Sequence, residues 1–203
     1  ALPHRLRTLH PAMSCADLPP SPWITRFAPL MRTLDPSDGR PRRALDVACG
    51  RGRHVRWLLA QGYQVTAVDR DAQALAALPA AHPHLTPIEA DIENGPWPLP
   101  GKRFDVVVVT NYLWRPLLPT LVASVAPGGV LLYETFAQGN ETVGRPARAD
   151  FLLAPGELLR ACEGLRVVAY EDGFLDAPAR FVQRIAAVRE LPHDPLAPPR
   201  YPL

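Results

Sequence analysis

Four short stretches of the chain carry side chains whose chemistry converges on one kind of ligand. The first is Asp46-Val47-Ala48-Cys49-Gly50-Arg51-Gly52, in which two glycines stand two apart behind an apolar run. Glycine there lets the backbone approach a ligand where a Cβ would collide. The second is Asp69, 19 residues beyond Gly50 and just past the alternating run YQVTAV. An acid at that place can accept hydrogen bonds from both hydroxyls of a ribose. The third is Ala90-Asp91-Ile92-Glu93, which suits a purine, with Ile92 against the ring face and Asp91 accepting from the exocyclic amine. The fourth is Thr110-Asn111-Tyr112, behind four consecutive valines. Each is weak alone, because G-x-G turns recur widely and an aspartate that ends a strand is often only a helix cap. Four in order, each at the same end of a successive strand, define a nucleoside site.

Charge decides between two nucleoside cofactors. A dinucleotide places its pyrophosphate on a helix N-terminus behind G-x-G-x-x-G/A. Here Val55 occupies the third small position, and Asp46, four residues before Gly50, would repel a pyrophosphate. S-adenosylmethionine has no phosphate and carries a sulfonium and an ammonium, so an acidic approach favours it.

The elements that must position these residues follow from periodicity. Trp23, Phe27, Leu30, Met31 and Leu34 stand at helical spacing over 23–34. An apolar strand at 43–48 leads into a helix over 53–61 with Val55, Leu58 and Leu59 inward and Gly62 closing it. A strand at 63–68 and a helix from Asp71 to Leu78 follow, Pro79 ending the helix. A weaker strand covers 85–90, a proline-rich loop 94–103, and FDVVVVT at 104–110 reads as a buried parallel strand. A helix broken early by Pro116 and Pro119 runs to about Ala126, and Pro127-Gly128-Gly129 turns into a strand at 130–136. A loop at 137–154, a helix at 155–163 and strands at 165–171 and 179–189, joined near Asp176, complete the pattern. Such alternation predicts an α/β fold: a Rossmann-like sheet of about seven strands, mostly parallel, with helices on both faces and an antiparallel hairpin at one edge. Ligands in such sheets bind beyond the carboxyl ends of the central strands, where all four stretches fall.

Composition narrows the classes. A chain of 203 residues is one domain by size, and 47% apolar content with 22 basic against 20 acidic side chains is globular. A pI near 8.6 gives no drive toward a nucleic acid or an anionic membrane. Cys15, Cys49 and Cys162 are too few and too scattered for a disulfide framework or a zinc site. There is no apolar run of membrane-spanning length, and ALPHRLRTLH lacks the apolar core of a secretory signal, so the expected location is the cytoplasm. The 25 prolines cluster toward the ends. They predict a weakly ordered segment at 1–21, a domain at 22–190 and a proline-rich tail at 191–203, with Met13 a candidate natural start. The oligomeric state carries no sequence signal.

LDVACGRGRH, VDRD, ADIE, FDVVVVTNYL and the PGG before a strand together resemble the successive motifs of class I S-adenosylmethionine-dependent methyltransferases. Within that family the chain is similar to small bacterial enzymes of the tellurite-resistance methyltransferase type, over roughly residues 22–190. The resemblance implies a cofactor site of Asp46, Ala48, Cys49, Gly50 and Gly52 at the methionine portion. Asp69 and Arg70 then serve the ribose, Asp91 and Ile92 the adenine, and Asn111 and Tyr112 the methionine carboxylate side or the transferred methyl. Ala48 stands where the family has its first motif glycine, which alanine fits if its φ is negative. Cys49 is a small motif residue and not a nucleophile.

Methyl transfer to a hydroxyl or ammonium acceptor needs a base, whereas a thiolate or metalloid oxyanion needs none. The candidates for a base are Tyr112, His54 and Glu134. His54 otherwise reads as a partly exposed helix residue. Glu134, mid-strand in an apolar run, otherwise reads as the partner of Arg145 or Arg148. The long loop 137–154 suggests a lid that contributes Asn140, over a wall of Trp114, Arg115, Tyr133 and Phe136. Trp23 and Phe27 either cap the cofactor pocket or pack on the sheet. The expected activity is methylation of a small-molecule acceptor with no metal. The alternatives are a non-catalytic cofactor-binding sensor and an RNA or protein methyltransferase, the arginines of 40–56 being the basic cluster available to an RNA.

Overall fold

The computed structural model describes residues 18–33, 39–79 and 81–203. Seven strands form a single sheet: β1 (Arg43–Val47), β2 (Gln64–Asp69), β3 (Leu85–Glu89), β4 (Phe104–Thr110), β5 (Val125–Phe136), β6 (Arg166–Asp176) and β7 (Ala179–Val188). Their order is β3-β2-β1-β4-β5-β7-β6. The first five pair in parallel, and β7 is antiparallel to both β5 and β6. The hairpin folds back on itself, so β7 and not β6 enters against β5.

Among the described residues six short α-helices accompany the sheet: α1 (Pro22–Arg26), α2 (Ala28–Thr33), α3 (Arg53–Ala60), α4 (Ala72–Ala76), α5 (Leu118–Ala123) and α6 (Glu157–Ala161). The helix expected over 23–34 is two, broken at Phe27. Pro29, second in α2, has no N–H to continue the α1 ladder. Leu34 lies outside the described residues. The turn before β7 is tighter than expected, because β6 runs on to Asp176. The strand expected at 130–136 starts at Val125, with Pro127-Gly128-Gly129 inside it. A Cβ on Gly129 would come within 2.9 Å of the carbonyl oxygens of Ala126, Asp105 and Phe104, so only glycine passes there.

Strand alternation divides the core. Val106 and Val108 face a cluster with Trp23, Ile24, Phe27, Val55 and Leu58, whereas Val107 and Val109 face one with Leu121, Tyr133, Leu158 and Ile185. Both faces of β4 are thus dry, as its four valines require. Trp23 and Phe27 belong to the first cluster and do not reach the cofactor pocket.

The expected N-terminal segment falls mostly outside the described residues, but its last member is fixed. Ser21 is buried, caps α1 through Trp23 N–H, and donates its own N–H to His54 Nε2 at 3.0 Å. In the 191–203 tail, Tyr201 packs against the first cluster and donates its hydroxyl to Glu190 at 3.0 Å.

Candidate functional site

At the carboxyl ends of β1 to β4 an open cleft of about 200 Å³ is lined by Ala48, Asp69, Arg70, Ala90, Asp91, Ile92, Glu93 and Tyr112. The four stretches singled out in the sequence therefore share one hollow. Asp69 ties two of them together. Its Oδ2 accepts Gly50 N–H at 2.7 Å and its Oδ1 accepts Asp71 N–H at 2.9 Å, so the acid after β2 holds the turn after β1 in place. Asp91 is fixed by its own turn, accepting Glu93 N–H, Asn94 N–H and Asn94 Nδ2–H. These bonds, the Asn94 side chain foremost, hold its carboxyl below the ordinary range. Ala90 and Glu93, which belong to the third stretch but were given no role of their own there, join the lining beside Asp91 and Ile92.

The turn after β1 is left-handed at three places. Gly50 has φ 52° and Gly52 has φ 78°, and a Cβ on Gly52 would run into Leu78. Ala48 also has φ 52°, which corrects the expectation that alanine sits there with a negative φ. The Cβ of an L-residue is crowded in this region at roughly 1–2 kcal/mol. Ala48→Gly should therefore stabilise the fold by about 1 kcal/mol, read as a higher urea midpoint at unchanged slope. An equal or lower midpoint would show that the strain is absent. Asn111, at φ 55°, makes the matching left-handed step after β4, where asparagine is tolerated better than most residues.

Asp46 lies beneath this turn, 1% exposed. One side of its carboxyl accepts Val55 N–H, and its Oδ2 has no hydrogen-bond partner among the described residues. Burial pushes its pKa up to about 8, with Asp69 adding to the rise and Arg53 opposing it. A buried acceptor left without a donor is costly, and a cationic ligand group is the donor chemistry that would complete it. The Cys49 thiol is pushed up, first by burial and then by Asp46, and stays protonated.

None of the three candidate bases is a free base. His54 is buried and not partly exposed, because α3 turns His54, Val55, Leu58 and Leu59 all inward. Its Nε2 lone pair accepts Ser21 N–H, which leaves the proton on Nδ1 facing Thr110 Oγ1 at 3.4 Å, and burial lowers its pKa to about 3. Tyr112 lines the cleft with its hydroxyl buried, and burial first, then Glu93, keep the phenol protonated. Glu134 is 1% exposed, but its partners are not Arg145 or Arg148. Oε2 meets Arg184 at 3.2 Å, while Oε1 accepts Ser21 Oγ–H at 2.9 Å and lies 3.7 Å from Arg180.

The expected substrate wall is largely structural. Arg115 spends its guanidinium on both Glu157 oxygens and on the carbonyls of Asp150 and Leu152. Tyr133 is a core residue whose hydroxyl donates to Tyr112 O at 2.8 Å. Asn140 is buried and braces the loop, donating to Pro146 O and accepting Phe181 N–H. Trp114 and Phe136 are half-buried, and neither lines the cleft. The loop 137–154 is pinned at its base, with Leu153 N–H on Phe136 O and Gln138 N–H on Leu153 O. Arg180 and Arg184 were not singled out from sequence. Their i, i+4 spacing on β7 puts both on the face that carries Glu134.

Residues 44–129 match the methyltransferase domain family. A malonyl-[acyl-carrier protein] O-methyltransferase from Pectobacterium atrosepticum is 32% identical over 127 residues, covering 57% of this chain and 49% of that one. The chain thus spans about half the length of the curated relative it matches. Among solved structures, an S-adenosylmethionine-dependent methyltransferase from Mesorhizobium loti superposes with a TM-score of 0.58 at 21% identity, covering 81% of this chain and 98% of its own. TehB from Haemophilus influenzae gives 0.58 at 21% identity, over 79% of this chain and 61% of its own. Motifs, cleft, sheet order and domain match agree: residues 44–129 match a methyltransferase domain, and the chain shares the fold of the S-adenosylmethionine-dependent Mesorhizobium loti enzyme.

Proposed function

We propose that this chain transfers a methyl group from S-adenosylmethionine to a small-molecule acceptor, in the cytoplasm. The observation that carries the reading is the unpartnered Oδ2 of Asp46 beneath an acid-lined cleft. Asp46 would meet the cationic methionine end, Asp69 the ribose hydroxyls, and Ile92 with Asp91 the adenine. Gly50, whose Cβ position is open space, leaves room for close backbone approach. Bound there, the cofactor supplies an electrophilic methyl carbon on a sulfonium, which an acceptor lone pair displaces in line as a neutral thioether leaves. The chain's contribution is then position and exclusion of water rather than proton transfer.

With His54 and Glu134 engaged and the Tyr112 phenol held protonated by burial, the site favours an acceptor that arrives with its lone pair free, such as an oxyanion or a thiolate. The name of the curated relative gives its acceptor as a malonyl group held by a carrier protein, so a carried group is the second reading. Calorimetry should show binding of S-adenosylmethionine and no binding of NAD, and the reverse result would end the proposal. A screen of thiols, oxyanions, phenols and amines, read as demethylated cofactor, then identifies the acceptor class.

A further inference from the structure

One register row crosses four strands at the same end of the sheet: Thr110 on β4, Glu134 on β5, Arg184 on β7 and Glu171 on β6. Neighbouring strands lie about 4.8 Å apart, so this row starts beside the Ala48 turn and leads away from it over roughly 15 Å. Arg184 bridges Glu134 and Glu171, and Arg26 closes the far side on Glu171 at 3.0 Å. Each of those charges is matched. Arg180 is the cation left over. Its nearest carboxylate oxygen is Glu134 Oε1 at 3.7 Å, beyond hydrogen-bond reach, and that oxygen is already served by the Ser21 hydroxyl. The Nε–H of Arg180 is buried and has no acceptor among the described residues.

Three arginines thus face two glutamates, leaving one positive charge in excess and one buried cationic donor unmet. A lone unsatisfied donor of this kind is expensive, and an incoming carboxylate meets both needs, since guanidinium presents paired N–H groups that match its two oxygens. β7 runs antiparallel, so its early residues, Arg180 among them, project at the end of the sheet where the cofactor cleft opens.

We propose that Arg180, steadied beside Arg184, receives a carboxylate of the methyl acceptor, which makes the substrate of this enzyme a small organic acid. The proposal rests on the methyl-transfer reading for the word acceptor, but the anion site stands on its own geometry.

The test is the arginine Nε–H NMR spectrum of protein saturated with S-adenosylhomocysteine, titrated with malonate and, separately, with its uncharged diester dimethyl malonate. Malonate should shift the Arg180 Nε–H signal while the diester leaves it in place. Arg180→Gln should weaken malonate at least ~10-fold, the loss expected of a charge-assisted hydrogen bond, with S-adenosylhomocysteine affinity little changed. If Arg180→Gln does not fold, Arg180→Lys replaces it, since it keeps the charge and removes the paired N–H groups of the guanidinium. An equal response to the diester, no response to malonate, or parental malonate affinity in the folded variant overturns the proposal. Should S-adenosylhomocysteine itself fail to bind, the methyl-transfer reading fails, and the same titration of the unliganded protein still judges the anion site.

Discussion

Asp46→Asn should make the protein more stable at alkaline pH while weakening its hold on S-adenosylmethionine. The folded pKa of Asp46, about 8, is raised from the ordinary 3.8 by burial. The folded chain therefore keeps a proton that the unfolded chain has released, and stability falls as pH rises between roughly 4 and 8, by up to ~1.4 kcal/mol per pH unit. His54 acts in the opposite sense. Its folded pKa of about 3 lies below the ordinary 6.5, so stability is lost as pH falls through that window. The two slopes offset one another between about 4 and 6.5, and above that only the Asp46 slope remains. Urea unfolding should show the parent losing about 2 kcal/mol from pH 6.5 to 8.5, while Asp46→Asn stays level. Below pH 6.5 the variant should lose stability more steeply than the parent, because nothing offsets His54. A variant curve parallel to the parent's would mean that Asp46 is ionised throughout. In calorimetry at pH 8.5 the same change should weaken S-adenosylmethionine by about 10–100-fold, the worth of a charge-assisted hydrogen bond.

Asp69→Ala carries the second large effect. Its carboxylate organises the Gly50 turn, receives Asp71 N–H and faces the cleft, so its loss removes an anchor and a ligand contact together. Cofactor affinity should fall by about 1.5–3 kcal/mol from the ribose contact alone, and the freed Gly50 N–H should deepen the loss. Asp69→Asn separates the two contributions. Its amide oxygen still accepts one backbone N–H, so the turn should hold better than in the alanine variant while the charge is gone. If both variants bind S-adenosylmethionine as the parent does, the adenosine lies elsewhere.

Much of this architecture was readable because local and global signals agree. The four valines of β4 and the alternation of β2 need no tertiary information, and Asp71 caps α4 through Gln73 and Ala74 N–H as its residue type suggests. Where sequence and structure differ, the causes are separate. Glu134 was paired with arginines near it in sequence, whereas its partner stands directly opposite on a strand 50 residues later. Antiparallel register between β5 and β7 is set by the whole sheet, and no local pattern reports it. Ala48 reads as an ordinary residue because alanine gives no hint of positive φ, where a glycine would have announced it. His54 did carry a signal: it stands four residues before Leu58 and one before Val55, on the inward stripe of α3. Arg115 and Asn140 each open a short 3-10 turn, and their residue types say nothing of whether a ligand or the surrounding chain takes their donors.

The insertion of β7 between β5 and β6 bears on how the chain matures. β7, which alone joins β6 to the rest of the sheet, is the last of the seven strands to leave the ribosome, so β6 cannot reach its final place and β5 stays unpaired on one side until synthesis has passed Val188. Until then the β5 flank is a bare edge of Val130, Leu131, Leu132 and Tyr133, open to any other extended chain nearby. A nascent protein built this way is most exposed to aggregation while β5 waits for β7, and chaperone protection would matter most in that interval.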